Sequence, residues 1–455
     1  MRYVSTRGRA PVLDFTDVLL TGLAADGGLY VPEAWPALPE GWDEPRPYAE
    51  LATEVLWPYV EGSALDRPDL ARLVEEAYAT FDHPDVCPLV EIEPGLCVVE
   101  LFHGPTLAFK DVALQLVGRL FDHELARRGE RATIVVATSG DTGSAAIAAC
   151  VGRPNLDVVV LHPAGRVSDV QRRQMTTVDA PNVHNVAVEG TFDDCQALLK
   201  ALFADEELRR RVGLSAMNSI NWARVAAQVV YYVLAAAAAG PCEVAVPTGN
   251  FGNILAGWIA RRSGAPIERL VSGSNSNDVL TRWARTGELV RSEVVPTLSP
   301  SMDIQVSSNH ERLLFELLGR DPRATAELMA RFRDVGSVEA PVDPTFAAAS
   351  LDDDATLEVI ADLYRRTGYL ADPHTAVGIG AARACRSGGG REDLPLVCMA
   401  TAHPAKFPDA VERATGVRPA LPEHLADLHD RPERYEVLPA DLDAVRAHVL
   451  ACVAR

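Results

Sequence analysis

ATIVVATSGDTGSAAIAAC, residues 132–150, is the stretch on which the fold turns. Ala132–Ala137 is apolar and β-branched without polar alternation, which predicts a strand buried on both faces. TSGDTG then makes a Gly-rich turn, and SAAIAAC has a helical composition. The same alternation recurs downstream. LDVVVLH (Leu156–His162) leads into SDVQRRQMTT, and NVHNVAV (Asn182–Val188) into DDCQALLKALFADEEL. CEVAVP (Cys242–Pro247) leads into a second Gly-rich turn and NILAGWIARR, while ERLVSG (Glu268–Gly273) and LPLVCMA (Leu394–Ala400) add further strands. Strands separated by helical stretches predict βαβ units and a parallel sheet, so the chain reads as an α/β protein. In such sheets ligands bind beyond the carboxyl ends of the strands, beside helix N-termini.

The remaining sequence bounds the function. The chain has 455 residues, enough for two or three domains, and an ordinary composition of 48% hydrophobic and 23% charged residues. With 63 acidic and 43 basic residues its net charge is −20, which argues against nucleic-acid and anionic-membrane partners. MRYVSTRGRAPVLDF lacks the apolar core of a signal peptide. Val229–Ala239 is the most apolar run, too short to span a bilayer of ~20 residues, and reads as a buried helix. The eight cysteines form no CxxC pair and no HExxH occurs, so neither a metal site nor a disulfide framework is expected and a reducing, cytoplasmic location is. Residues 1–95 read as a mixed, mostly helical N-terminal extension with a DGG turn in GLAADGGLYVPE. The charged, Ala-rich stretch from Thr325 to Ala355 reads as outer helices, and 421–455 as a solvent-exposed C-terminal extension.

Five segments carry candidate chemistry. In ELFHGPTLAFKDVALQ (Glu100–Gln115), Lys110 sits where a turn enters a helix. A helix N-terminus and apolar neighbours favour a neutral amine able to react with a carbonyl, although by position alone a solvated lysine near a helix start is the better reading. TSGDTG and VPTGNFGN (Val246–Asn253) each follow a strand and open a helix, as an anion cradle or a capped turn does. The second is neither a P-loop nor a dinucleotide fingerprint. MNSINWARVAAQ (Met217–Gln228) gathers Asn218, Ser219, Asn221 and Arg224 at a helix start, as phosphate ligands or as capping residues. MATAHPAKF (Met399–Phe407) places Thr401 and His403 after a strand, His403 reading as a satisfied strand-end histidine.

Taken together, LFHGPTLAFKD, ATSGDTGSAA, NSINWAR, PTGNFGN and TAHPAKF resemble, in this order, the long form of the threonine synthase family. The resemblance implies fold type II of the pyridoxal-phosphate enzymes: two α/β domains with the cofactor in the cleft between them, here 96–240 with the cofactor lysine and substrate loop, and 241–420 with the cofactor-phosphate loop. It implies Lys110 as the Schiff-base lysine, Gly249, Asn250, Phe251, Gly252 and Asn253 as the phosphate loop, Thr401 as partner of the pyridine nitrogen and Asp141 near the ring hydroxyl. Thr138, Ser139, Gly140 and Thr142 are implied around the substrate carboxylate, and Asn218, Ser219, Asn221 and Arg224 around its phosphate. The implied reaction is O-phosphohomoserine plus water to threonine plus phosphate, in a monomer or homodimer. A paralogue of the same fold acting on a related phosphorylated or phosphonate amino acid would carry the same cofactor motifs.

Overall fold

The computed structural model describes residues 1–388, 391 and 393–453. The chain forms two compact units built from non-consecutive stretches. The first comprises Met1–Val18, Leu23–Phe109 and Ser219–Pro419; the second comprises Leu19–Gly22, Lys110–Asn218 and Ala420–Arg455.

In the first unit six strands are ordered Phe346–Ser350, Ile267–Ser274, Cys242–Pro247, Leu396–Ala400, Leu96–Glu100 and Leu89–Glu93. All neighbours are parallel except the last pair, an antiparallel hairpin. The apolar runs are buried as expected: Val98, Ala245, Val397, Cys398 and Ala400 are fully covered. Helix Trp222–Ala239 packs in the same unit and contains the apolar run Val229–Ala239, and Asn221 caps its start. Helices Tyr48–Val60 and Arg67–Tyr78 supply most of the N-terminal helical content.

The second unit holds an all-parallel sheet ordered Glu436–Pro439, Val183–Glu189, Leu156–Pro163, Ala132–Ala137 and Leu214–Ser215. Strand order proceeds outward from Ala132–Ala137 in one direction, and then Leu214–Ser215 is added on its other side. The TSGDTG turn at the carboxyl end of Ala132–Ala137 therefore lies at the reversal, where α/β sheets form a crevice.

Three expectations need correction. The boundaries drawn at 95/96 and 240/241 lie inside the first unit, because Leu89–Glu93 and Leu96–Glu100 are one hairpin and Trp222–Ala239 belongs with the sheet that follows it. The stretch Thr325–Ala355 is not helical throughout: Phe346–Ser350 forms the edge strand beside Ile267–Ser274, a role its FAAAS sequence conceals behind alanine. The C-terminal stretch is no solvent-exposed extension. Glu436–Pro439 pairs with Val183–Glu189, and Val445 and Val449 of helix Leu442–Val453 are buried in the core of the second unit.

A half-buried ion pair fastens that segment. Glu433 receives both Nε (2.8 Å) and Nη2 (3.0 Å) of Arg172 and the Thr176 hydroxyl at 2.7 Å. The Arg172 hydrogen bonds hold the Glu433 carboxyl down at about 2. Its folded value lies below the ordinary glutamate value of about 4.3, so its stabilisation is complete above that range and is lost as pH falls toward about 2. Glu433→Gln is expected to lower stability at pH 7 by roughly 1–2 kcal/mol. Denaturant melts of both proteins between pH 7 and pH 2 should show the gap closing as the pH falls.

Candidate active site

In the second unit, helix Lys110–Arg128 begins at Lys110 itself. The side chain is nearly buried, and its Nζ lies 3.3 Å from Asp141 Oδ2. Asp141 opens helix Asp141–Cys150, and its other oxygen accepts from Gln171 Nε2 at 2.8 Å. The carboxylate is thus oriented from two sides, and pairing offsets the cost of burying either charge. The turn before it depends on Gly140, whose φ of 155° and proximity to Gln171 exclude a side chain: a Cβ would lie 2.5 Å from the Gln171 amide carbon. The Thr138 hydroxyl accepts from the amides of Gly140 (2.9 Å) and Gly143 (3.1 Å) and donates to the Gly140 carbonyl. Thr138 therefore shapes the loop from within, while Ser139 and Thr142 complete its sequence. Asn218 ends the stretch Lys110–Asn218 of this unit.

In the first unit, strand Cys242–Pro247 runs into GNFGN, and helix Gly252–Ser263 starts there. Phe251 takes the left-handed conformation at φ 66°, unusual for an aromatic residue. Its buried ring is held among His310 (4.8 Å), Phe346 (5.7 Å) and Trp283 (6.2 Å). A Cβ on Gly249 would lie 2.6 Å from the Ser301 carbonyl oxygen, so the cradle admits no side chain there. Asn253 accepts hydrogen bonds from Tyr231 (2.6 Å) and Tyr232 (2.9 Å), and its buried Nδ2 has no hydrogen-bond partner among the described residues.

NSINWAR is joined to this loop. Asn309 Nδ2 donates both to the Ser219 carbonyl (3.0 Å) and to the Asn250 carbonyl (3.1 Å). The Ser308 hydroxyl lies 3.4 Å from Ser219 Oγ and donates to Asn250 Oδ1 at 3.2 Å. Asn221 caps helix Trp222–Ala239 through Oδ1. Arg224, on the first turn of that helix, is buried, which draws its guanidinium down to about 10.

Thr401 follows strand Leu396–Ala400, the neighbour of Cys242–Pro247 in the sheet, so both loops leave the same carboxyl edge. Its carbonyl accepts from the Phe109 amide at 2.9 Å, which fixes the backbone immediately before Lys110. His403 caps the turn by accepting from the Ala405 amide, and burial pushes its imidazole down to about 4. It is the neutral strand-end histidine anticipated from its position.

Several positioning residues were not singled out from sequence. Gln171 orients Asp141, Asn309 and Ser308 join two motifs, and Ser307 donates to the Gly249 carbonyl at 2.6 Å. The Ser301 backbone beside Gly249 donates to His374 Nε2 (3.3 Å), whose Nδ1 is 2.8 Å from Asp372. The fully buried Lys406 donates to the Thr106 carbonyl at 2.5 Å. The polar run Ser307–Asn309 before a helix and the Asp372–Pro373 helix start were the available signals; neither reveals which loop it supports.

Comparison with known proteins supplies the family. Residues 88–402 match the family model "Pyridoxal-phosphate dependent enzyme", residues 2–78 "Threonine synthase N terminus" and residues 375–449 "Threonine synthase, C-terminal". The threonine synthase of Pseudomonas aeruginosa is 52% identical, the match covering 99% of this chain and 98% of that protein. The crystal structure of PLP-bound threonine synthase from Brucella melitensis superposes with a TM-score of 0.95 at 48% identity, covering 100% of each chain. The yeast threonine synthase structure gives 0.94 at 36% identity, covering 100% of this chain and 99% of the other. With family models spanning most of its length and relatives this similar from end to end, the chain belongs to the threonine synthase family of pyridoxal-phosphate-dependent, fold type II enzymes.

Proposed function

We propose that the chain converts O-phospho-L-homoserine and water to L-threonine and phosphate, with Lys110 as its catalytic amine and the GNFGN loop as its cofactor-phosphate cradle. The observation that carries this reading is the buried, unpartnered Asn253 Nδ2 in a glycine-lined loop at a helix start. A buried donor without an acceptor costs about 1–3 kcal/mol, and a phosphate oxygen is the acceptor a helix N-terminus favours. The residues present therefore fit pyridoxal phosphate. Its phosphate would be held by Gly249, Asn250, Phe251, Gly252 and Asn253, its ring nitrogen by Thr401, its ring hydroxyl by Asp141 and its aldehyde carbon by Lys110. When bound, the cofactor supplies the electron sink that permits proton loss from the substrate carbon chain and departure of phosphate from Cγ.

The chain's own residues do the rest. Lys110, as a free amine, would carry protons at Cα and then at Cβ of the substrate. Asp141, held by Gln171, keeps the lysine oriented. Ser139, Gly140 and Thr142 receive the substrate carboxylate on the loop that Thr138 braces. Arg224 and Ser219 receive the substrate phosphate, with Asn218 beside them in sequence, and Asn221 positions the helix start that presents Arg224. A buried guanidinium is a strong anion ligand because little water competes for it. Among the described residues the eight cysteines form no disulfide, which accords with a reducing, cytoplasmic location, and the substrate is a small molecule.

Phosphate release from O-phosphohomoserine, with threonine identified as product, tests the reaction. Lys110→Ala should lower turnover by about 10³-fold or more, and borohydride reduction of the wild-type holoenzyme should label Lys110. A pyridoxyl group on another lysine overturns the assignment.

Asn253→Asp keeps the Oδ1 acceptor shared by Tyr231 and Tyr232 but replaces the unpartnered donor by charge. Cofactor titration should show affinity weakened by about ten-fold or more, since like charges then face one another. Unchanged affinity would remove Asn253 from the phosphate cradle.

Arg224→Ala should raise KM for phosphohomoserine by about ten-fold or more, and leave the affinity for homoserine, measured as an inhibitor, nearly unchanged. Equal weakening of both ligands would take Arg224 out of the phosphate site.

A further inference from the structure

Outside this site, the second unit contains a thiol, an imidazole and a carboxylate in sequence. Cys452 lies one helical turn after His448 on helix Leu442–Val453, and its Sγ is 3.3 Å from His448 Nε2. His448 Nδ1 is 3.2 Å from Glu436 Oε2, on the strand that completes the sheet. We propose that Cys452, His448 and Glu436 form a reactive-thiol site that exchanges with low-molecular-weight disulfides.

The geometry assigns each group a role. The carboxylate of Glu436, 3.2 Å from Nδ1, favours the proton on that nitrogen and so leaves Nε2 as the acceptor facing the thiol. The thiol proton passes to Nε2, and the resulting imidazolium is stabilised by the carboxylate. Sγ then attacks one sulfur of the disulfide, a new S–S bond forms as the old one breaks, and the departing thiolate takes the proton from Nε2 and leaves as a thiol. One disulfide is consumed and one is formed, so no further oxidant is required.

The surroundings favour this cysteine over the other seven. Cys87, Cys150, Cys195, Cys242 and Cys398 are buried. Cys97 and Cys385 are partly exposed, but burial pushes both thiols up and away from the reactive thiolate. Cys452 is partly exposed and the Glu436 side chain is 65% exposed, so a small disulfide can approach. The helix packs on Phe192–Ala204, Glu206–Val212 and Glu436–Pro439. The nearby acids Asp205 and Glu207 are engaged by Arg446, at 2.7 and 3.7 Å, which leaves Glu436 as the carboxylate on His448.

The test is timed alkylation of the full-length holoenzyme with iodoacetamide at pH 7, followed by peptide mapping, and a parallel incubation with oxidised glutathione. Cys452 should be labelled about ten-fold faster than Cys97 or Cys385, and should carry the reducible glutathione adduct. His448→Ala should slow labelling of Cys452 by about five-fold, and the exposed Glu436→Gln by about two-fold, with the rate at Cys97 unchanged in both. Labelling of Cys452 no faster than Cys97, or at the wild-type rate in both variants, overturns the proposal.

Discussion

The hydrogen bond from the Phe109 amide to the Thr401 carbonyl (2.9 Å) joins the segment leading to Lys110 to the end of strand Leu396–Ala400. It belongs to a short antiparallel contact. His403 donates to the Leu107 carbonyl (3.0 Å) and Ala108 bridges Ala402, while Leu101, donating to Ala400 (3.0 Å), continues the parallel pairing of the two strands. Leu107 and Ala108 are buried, so each of these backbone groups would cost about 1–3 kcal/mol if left unsatisfied. The same bonds sustain the left-handed φ of 63° at Leu107, a conformation costing of order 1–3 kcal/mol in a non-glycine residue. The backbone that presents the lysine is therefore held by a distant strand end, and its position follows from sheet register.

An acidic chain with net charge −20 binds a dianionic substrate and an anionic cofactor only through local donors. In the proposed site those donors would be buried cations and helix starts. Arg224 is drawn down to about 10 by burial, and Arg312, drawn to about 9, donates to the Tyr30 and Ile220 carbonyls and to Asn309. Arg312 thereby braces Asn309, which in turn joins Ser219 to Asn250. The Arg312 guanidinium is thus a buried charge spent on the protein's own carbonyl oxygens, holding together the segments that carry Ser219 and Asn250.

The α/β class and the helical Trp222–Ala239 were legible because apolar runs and Gly-rich turns alternate without ambiguity. The site motifs were legible for the same reason: each is a strand end followed by a helix start. Phe346–Ser350 was not legible, since alanine in an edge strand carries no periodic signal. Glu436–Pro439 was hidden by its charged flanks, although a short charged strand is what an edge position tolerates. Gln171, Asn309 and His374 escaped because their significance lies in partners far away in sequence. An amide at a helix start looks the same whether it points to solvent or at Asp141.

Strand order explains why these partners are so distant. Leu396–Ala400 comes late in the chain yet lies between Cys242–Pro247 and Leu96–Glu100, pairing with both. Val397, Cys398 and Met399 are fully buried there. Until this strand is in place, the strand that ends in GNFGN and the strand that leads to Lys110 each lack a neighbour, and Thr401 has no position. The chain also passes from one compact unit to the other at Phe109/Lys110 and at Asn218/Ser219, both inside candidate-site motifs. The two motifs that would bind cofactor and substrate are therefore also among the covalent links between the units. A residue such as Phe109 is constrained twice, by the strand end it bonds and by the helix it introduces. That double constraint accounts for a short motif such as AFKD carrying so much of the signal in a chain of this length.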